Sequence, residues 1–181
     1  MTTTTTPTTT PTTTTDSSET TGTERTSNRP DLVDGPPVRV AVDALSPRTN
    51  KAMNALDAAS RNTSLEAPLQ ELVRARASQI NGCAYCVDMH LADAEAAGVP
   101  QRTLHLLAVW RETGFFTARE RAALELTEAM TRLSEAPVGD ALFERVAEHF
   151  DDRELSDLVW LIAVINTWNR LGATAHPWPL S

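Results

Sequence analysis

Long apolar stretches are absent from this 181-residue chain. A membrane-spanning helix needs roughly 18 or more consecutive apolar residues, and the apolar run at residues 158–165 has only the length of a buried helix. The first residues also lack the basic and apolar regions of a secretory signal peptide. The sequence therefore predicts a cytoplasmic protein without a membrane partner.

Basic clusters are also missing. The formal net charge is -8 at pH 7, and an acidic protein without a positive patch lacks the electrostatic attraction that nucleic-acid binding requires. We therefore expect no nucleic acid among the partners of this protein.

Aliphatic residues are scarce before Leu32, where threonine, proline and serine dominate. Such a segment cannot bury enough apolar surface to offset the entropy lost on ordering. The whole chain is nevertheless 41% hydrophobic, enough for one core of ordinary size. We predict a disordered tail at residues 1–36 and one folded domain at residues 37–181.

The folded part shows helical patterns and no pair of strands. Residues 38–42 suggest a short extended or irregular entry. Capping patterns mark two helix starts, Thr117 with Glu120 and Asp151 with Glu154. The predicted helices cover about 47–60, 68–80, 83–97, 100–111, 117–134, 140–150 and 152–171. The fold class is thus all-α, a compact bundle of about six to seven helices.

Cysteine occurs only twice, at Cys83 and Cys86, with His90 four residues later and Glu71 twelve residues before the first thiol. The turn dipeptide Asn81-Gly82 precedes this run, so a helix should begin at about Cys83. On that helix Cys83, Cys86 and His90 share one face. A thiolate in the first turn is stabilised by the helix dipole, which favours Cys83 as the thiol of lower pKa.

Two thiols one helical turn apart can form a disulfide reversibly, and His90 can exchange a proton with them. Two other interpretations stay open. Glu71, Cys83, Cys86 and His90 are four potential ligands for zinc, although three of them share one helix. The cysteines could also be small apolar residues of a core.

The pattern formed by Glu71, Cys83, Cys86 and His90 resembles the core of the alkyl hydroperoxidase D-like proteins, within the carboxymuconolactone decarboxylase superfamily. The resemblance extends over roughly residues 38–178 and includes further blocks at 110–112, 116–124 and 166–170. It implies the alkyl hydroperoxidase D-like helical fold and a thiol-dependent peroxidase for organic or hydrogen peroxides.

The resemblance also implies roles for the site residues. Cys86 would attack the peroxide and Cys83 would resolve the sulfenic acid, with Glu71 and His90 as a proton relay. The dipole argument favours the other cysteine as attacking thiol; we follow the resemblance in assigning Cys86. Tyr85 stands where the best-known members carry a histidine, and we expect it to pack at the edge of the site.

Partners follow from the same resemblance. No metal, haem or flavin cofactor is implied, and the electrons would come from a dithiol carrier such as a lipoyl group, a thioredoxin or a peroxiredoxin. Similar proteins assemble as trimers or hexamers, and the bulky apolar residues at 158–168 predict a subunit interface. Trp168 is a candidate for packing or for a wall of the peroxide pocket.

Two alternative functions remain. One is a lactone decarboxylase-like enzyme of the same superfamily, a branch that does not rely on a cysteine pair. The other is a non-catalytic helical oligomer that binds zinc or senses the redox state.

Overall fold

The computed structural model describes residues 1–3 and 33–180. The chain divides into two units, Met1–Val33 and Asp34–Ser181. In the first unit the described residues, 1–3 and 33, are exposed and have no regular secondary structure. The predicted tail at 1–36 falls mainly outside the described residues and stays a prediction.

Helices make up all the regular structure between residues 33 and 180, where no strand occurs. This confirms the predicted all-α class. Eight α-helices and one 3-10 helix follow in chain order: α1 Val42–Leu45, α2 Pro47–Arg61, α3 Ala67–Asn81, α4 Ala84–Ala96, α5 Gln101–Leu106, the 3-10 helix Leu107–Glu112, α6 Ala118–Thr131, α7 Asp140–Ala147 and α8 Asp152–Ala175. Within the described part of the chain, no helix is long and apolar enough to cross a bilayer.

Three segments differ from the sequence prediction. The extended entry is partly a single helical turn, α1. The predicted helix at 100–111 tightens into the 3-10 helix, where Val109 leaves the helical region at φ -122° and ψ 30°, as the chain turns Trp110 into the core, 4% exposed. Helix α8 includes Gly172 and continues four residues beyond the expected end at Leu171.

Both predicted capping boxes are present. The Glu120 N–H donates to Thr117 Oγ1 at 3.2 Å and the Thr117 N–H donates to Glu120 Oε2 at 2.7 Å. Asp151 and Glu154 form the same reciprocal pair at 2.8 and 3.1 Å. Side chains thus satisfy amide groups that have no partner within the helix, which fixes where α6 and α8 begin.

Helix α3 lies at the centre of the bundle and packs against α4, α6 and α8. Nine of its 15 residues are buried. Its two sides face two apolar clusters, one with Leu69 and Val73 and the other with Leu72 and Ala75. The first cluster is completed mainly by α6 and α8, and the second mainly by the segment from α4 to α6. The helix therefore joins both halves of the core.

The apolar residues of α8 are covered largely by the chain itself. Leu158, Leu161, Ile162 and Ile165 are each at most 1% exposed. The surrounding helices therefore enclose most of the bulky apolar residues from which the subunit interface was predicted, and the interface itself stays a prediction. Trp160 is the exception, with 57% exposure.

A buried carboxylate fastens α6 to α3 and to the 3-10 helix. Glu128 accepts hydrogen bonds from Arg76 Nε at 2.8 Å and from Trp110 Nε1 at 2.9 Å, and it also pairs with Arg111. Burial opposes ionisation of this group, but the hydrogen bonds from Trp110, Arg111 and Arg76 and the charge of Arg76 lower the pKa of Glu128 from 4.5 to about 2. The carboxylate is therefore ionised at neutral pH.

We predict that Glu128→Gln lowers the free energy of unfolding at pH 7 by on the order of 3 kcal/mol, since the largely enclosed guanidinium of Arg76 loses its counter-charge. The pKa of Glu128 is lower in the folded protein than in the unfolded chain. Its stabilisation is therefore complete above about pH 4.5 and is lost as the pH falls towards 2.

Urea denaturation at several pH values checks this prediction. Glu125→Gln is the matched control, because Glu125 lies on the same helix but pairs with the exposed Arg145, so its loss should stay below about 1 kcal/mol. Equal losses in the two variants, or a wild-type advantage over Glu128→Gln that does not shrink in acid, contradict the assignment.

Candidate active site

A tight turn presents the two cysteines. Gly82 ends α3 in the left-handed conformation, with φ 69°, which glycine adopts without steric cost. The N–H groups of Gly82 and Cys83 donate to the carbonyls of Gln79 and Ser78 at 3.4 and 3.1 Å. Helix α4 follows at once with Cys83 as its N-cap residue. The predicted turn at Asn81-Gly82 is therefore present, and the chain reverses so that α4 packs on α3.

Cys83 and Cys86 form a disulfide, with their Cα atoms 5.3 Å apart. Each cysteine is 2% exposed, and the Cys86 N–H donates to Cys83 Sγ at 3.4 Å. The structure thus represents the oxidised protein, in which neither thiol is a free metal ligand. Among the described residues, the acidic and histidine side chains that converge within 4.8 Å are those of Glu71, His90 and Asp93, a different set from the four potential ligands of the alternative zinc interpretation.

His90 and Glu71 form a buried pair across α3 and α4. His90 Nδ1 lies 2.7 Å from Glu71 Oε2, and the residues are 1% and 7% exposed. Because a carboxylate only accepts hydrogen bonds, Nδ1 carries the hydrogen and Nε2 is the proton-accepting nitrogen. The structure therefore brings Glu71, Cys83, Cys86 and His90 into one cluster.

Arg61 and Asp57 extend this cluster, and the sequence analysis missed both. Arg61 Nη1 donates to Glu71 Oε1 at 3.1 Å, and its Nε donates to Asp57 Oδ2 at 2.9 Å. Asp57 also accepts from Arg74 Nη1 at 3.0 Å. The one signal in the sequence was the i, i+4 spacing of Asp57 and Arg61 on a predicted helix.

The charges of this network affect one another. Burial disfavours ionisation of Asp57, yet the Arg61 hydrogen bond and the charges of Arg74 and Arg61 keep the pKa of Asp57 below its ordinary value. For the fully buried Arg74, burial and the neighbouring charge of Arg61 lower the pKa. Two carboxylates and two guanidinium groups therefore compensate one another around the histidine.

A cavity of about 290 Å³ opens onto Cys86 and His90. Cys86 lines it, whereas Cys83 does not. One wall is polar and comes from the segment between Asp43 and Arg61; the other wall is apolar. The side chains that complete the lining are those of Asp43, Asn50, Asn54, Asp57 and Arg61 on the polar side, and Tyr85, Met89, Ile165, Trp168 and Trp178 on the apolar side.

The chain after α8 supplies part of the apolar wall. His176 reverses the chain with φ 46°, and the N–H groups of Arg39 and Val40 donate to the Ala175 carbonyl at 2.9 and 3.2 Å. The Trp178 ring centroid lies 5.2 Å from that of Tyr85. Tyr85 therefore lines the cavity and packs against Trp178. Trp178 was missed, because its sequence neighbours indicated only the end of a helix.

The other face of Trp178 meets α8. Its ring centroid lies 5.8 Å from that of Trp168, edge to face, and Trp168 Nε1 donates to Asp57 Oδ1 at 3.3 Å. Trp168, a candidate for packing or for a wall of the pocket, thus links the aromatic and the charged parts of the site.

Gly172 allows α8 to approach the disulfide. A Cβ atom at this position would lie 2.6 Å from Cys83 Sγ and 3.5 Å from Cys86 Sγ. A distance of 2.6 Å is well inside van der Waals contact, so position 172 accepts no side chain while the sulfurs stay in place. Gly172 directly follows the predicted helix end at Leu171, where glycine is an ordinary stop signal, so the sequence contained no indication of this contact.

Comparison with known proteins identifies the family of this chain. Residues 42–129 match the Carboxymuconolactone decarboxylase family. The uncharacterized protein YdfG of Bacillus subtilis (strain 168) is 38% identical over 133 residues, which cover 74% of this chain and 90% of YdfG.

Comparison with solved structures supports the same fold. A protein of unknown function from Agrobacterium tumefaciens, suggested to be the antioxidant defence protein AhpD, is 35% identical with a TM-score of 0.77, over 80% of this chain and 99% of that one. The debrominase Bmp8 shares the fold at 19% identity, with a TM-score of 0.66 over 76% of this chain and 74% of its own. From the family match, the relative and the shared fold, we conclude that this chain belongs to the alkyl hydroperoxidase D-like proteins of the carboxymuconolactone decarboxylase superfamily.

Proposed function

We propose that this protein is a thiol peroxidase that reduces organic hydroperoxides or hydrogen peroxide through its Cys83–Cys86 dithiol. One observation carries the proposal. Cys86 and His90 line the same cavity, while Cys86 is bonded to Cys83 and His90 is hydrogen bonded to the buried Glu71. A nucleophile, a base and a resolving thiol are therefore adjacent.

In the first step the Cys86 thiolate attacks one peroxide oxygen and the O–O bond breaks. The attacked oxygen stays on Cys86 as a sulfenic acid, and the other leaves as an alcohol, or as water from hydrogen peroxide. His90 Nε2 accepts the thiol proton and returns it to the leaving oxygen. Glu71 stabilises the transient imidazolium, and Arg61 holds the second oxygen of Glu71 so that the carboxylate keeps its orientation.

In the second step the Cys83 thiol attacks the Cys86 sulfur and water leaves as the disulfide forms. The two thiols thereby supply the two electrons that reduce one peroxide. Access to the cavity supports Cys86 as the attacking residue, because it alone of the two cysteines lines the cavity.

A second dithiol must reduce the disulfide for the next turnover. We propose a lipoyl group, a thioredoxin or a peroxiredoxin as the carrier, acting in the cytoplasm. Because each cysteine is 2% exposed, the attacking thiolate has to reach Cys86 through the cavity. No metal or other cofactor takes part in this cycle.

Homo-oligomerisation, as a trimer or hexamer, is also part of the proposal. The exposed Trp160 supports it, because a large aromatic side chain on the surface gains from burial in an interface. Mass measurement in solution separates these assemblies from a monomer.

The roles of the two thiols are tested by stoichiometric reaction of the reduced protein with peroxide. We expect the wild type to lose both thiols per peroxide consumed. Cys83→Ser should stop at a Cys86 sulfenic acid that dimedone traps, and Cys86→Ser should consume peroxide at least about 100-fold more slowly, since the nucleophile is gone. Mass spectrometry and thiol titration measure each product.

Other outcomes would redirect the assignment. Wild-type thiols that persist at millimolar peroxide would rule out the peroxidase. Lactone decarboxylation that survives replacement of both cysteines by alanine would favour the decarboxylase-like alternative. Oxidation of the pair without turnover by any reductant, or stoichiometric zinc on the reduced protein, would favour a non-catalytic role.

We predict that Glu71→Gln slows the oxidation of Cys86 on the order of 100-fold, because a neutral amide does not stabilise the His90 imidazolium. Stopped-flow tryptophan fluorescence on the reduced protein measures the rate. Glu95→Gln on the exposed surface of α4 is the matched control and should react as the wild type does. Equal rates for all three proteins would exclude a role for the carboxylate.

Gly172→Ala should destabilise the oxidised protein by about 1–3 kcal/mol, because the new methyl group overlaps Cys83 Sγ. In the reduced protein the Cys83 thiol can rotate away, and alanine favours the helix, so the effect there should be much smaller. Thermal unfolding with and without a reductant compares the two states.

Gly114→Ala is the control for this substitution, since a Cβ atom there meets nothing within 4 Å. Equal shifts of Tm in the oxidised and reduced Gly172→Ala protein would show that the disulfide does not restrict the side chain at position 172.

A further inference from the structure

A cluster of polar side chains joins α8 to the end of α3. Asn81 Nδ2 donates to Asn166 Oδ1 at 2.9 Å, to Asn169 Oδ1 at 3.0 Å and to the Ala77 carbonyl at 3.0 Å. Asn169 Nδ2 in turn donates to Ser78 Oγ at 2.9 Å. We call Ser78, Asn81, Asn166 and Asn169 the polar cluster.

Most of the polar cluster is shielded from water. Ser78 and Asn169 are fully buried, and Asn166 is nearly so. Asn166 Nδ2 also donates to Thr131 Oγ1 at 3.1 Å and to the Ile162 carbonyl at 2.9 Å. Buried hydrogen bonds of this kind hold their geometry, because no water is at hand to replace a lost partner. The polar cluster therefore fixes α8 against the last turn of α3.

Both ends of this connection lie beside Cys83. On the α3 side, the Cys83 N–H donates to the Ser78 carbonyl at 3.1 Å. On the α8 side, Gly172 comes three residues after Asn169 and so shares its face of the helix. A Cβ atom at Gly172 would lie 2.6 Å from Cys83 Sγ. The polar cluster thus holds the turn before Cys83 to the helix that lies against its sulfur.

The stability of the disulfide depends on how closely the two thiols are held in the reduced protein. A turn that is free to move spends part of its time away from Cys86, and disulfide formation must remove that freedom again. We propose that Asn81 and Asn169 are positioning residues for the dithiol. By fixing the turn before Cys83, they raise the effective concentration of its thiol at Cys86 and stabilise the disulfide relative to the two thiols.

This inference rests on the proposed peroxidase function only for its part in turnover, because the equilibrium between dithiol and disulfide exists whatever the oxidant is. In turnover the same positioning speeds the attack of the Cys83 thiol on the Cys86 sulfenic acid, with loss of water. It also makes the disulfide a weaker oxidant of the second dithiol. The polar cluster therefore acts on both halves of the cycle without contact to peroxide.

Equilibration with glutathione measures the stability of the disulfide in the absence of peroxide. Two glutathione thiols reduce the Cys83–Cys86 bond to two thiols and leave as one glutathione disulfide. We expect Asn81→Ala to lower the equilibrium constant for disulfide formation about tenfold, which raises the reduction potential by about 30 mV. Asn169→Leu, which removes the bonds to Asn81 and Ser78, should lower the constant at least as much.

Val146→Ala is the control for a general loss of stability. Val146 is fully buried in the first apolar cluster, on α7, and takes no part in the polar cluster. Its truncation should lower Tm and leave the equilibrium constant at the wild-type value, because both redox forms lose the same packing. A purely structural role of Asn81 and Asn169 would give this same result in their variants.

Trapping of the sulfenic acid gives a second readout, which does depend on the peroxidase function. After one equivalent of peroxide, dimedone should label Cys86 several-fold more in Asn81→Ala than in the wild type, because Cys83 closes the disulfide more slowly. Val146→Ala should be labelled as the wild type is. Mass spectrometry of the Cys86 peptide measures the labelled fraction.

The proposal is overturned if Asn81→Ala keeps the wild-type equilibrium constant with glutathione, or if Val146→Ala shifts the constant as far. Should Asn169→Leu fail to fold, Asn81→Ala decides alone, since Asn81 is half-buried at the end of its helix. If no peroxide oxidises the thiols, the peroxidase function fails, while the glutathione equilibrium still tests the polar cluster.

Discussion

The burial of helix α3 is the constraint on which the rest of the structure depends. A helix surrounded on most sides cannot leave a charge without a partner, because an isolated buried ion costs several kcal/mol. Each charged residue on α3 therefore requires a particular neighbour: His90 and Arg61 for Glu71, Asp57 for Arg74, and Glu128 for Arg76. These pairs determine how α2, α4 and α6 dock.

The redox site is built from the same pairs, so its geometry is set by the folding of the core. The residue that orients His90 sits on the most enclosed helix, and α2 closes the polar wall of the cavity through Asp57 and Arg61. The proposed relay of Glu71 and His90 therefore lies on two packed helices, α3 and α4, and the aromatic wall belongs to α8 and the segment that follows it. Under the proposed function, such a division separates the residues that react at Cys86 from those that limit access to it.

The sequence predicted correctly those features that depend on residues close together in the chain. The capping boxes at Thr117 and Asp151 and the turn at Gly82 lie where their side-chain and backbone preferences place them. The pairing of His90 with Glu71 was inferred only from resemblance, because the turn at Gly82 reverses the chain but does not specify which side chains of α3 and α4 meet. The roles of Trp178 and Gly172 depend on contacts between distant segments, which spacing along the chain does not report.

The close contact at Gly172 also affects how this scaffold could be redesigned. With both sulfurs present, the backbone of α8 at Gly172 lies directly against the disulfide. Replacing Cys83 by a smaller residue removes the atom that would lie 2.6 Å from a Cβ atom at position 172. That position then admits a Cβ atom directed towards the former disulfide, with Trp178 Cζ3 at 3.4 Å and Cys86 Sγ at 3.5 Å as its nearest neighbours. The close contact that restricts position 172 to glycine in the disulfide-bonded protein thus marks the place where a new functional group could be introduced.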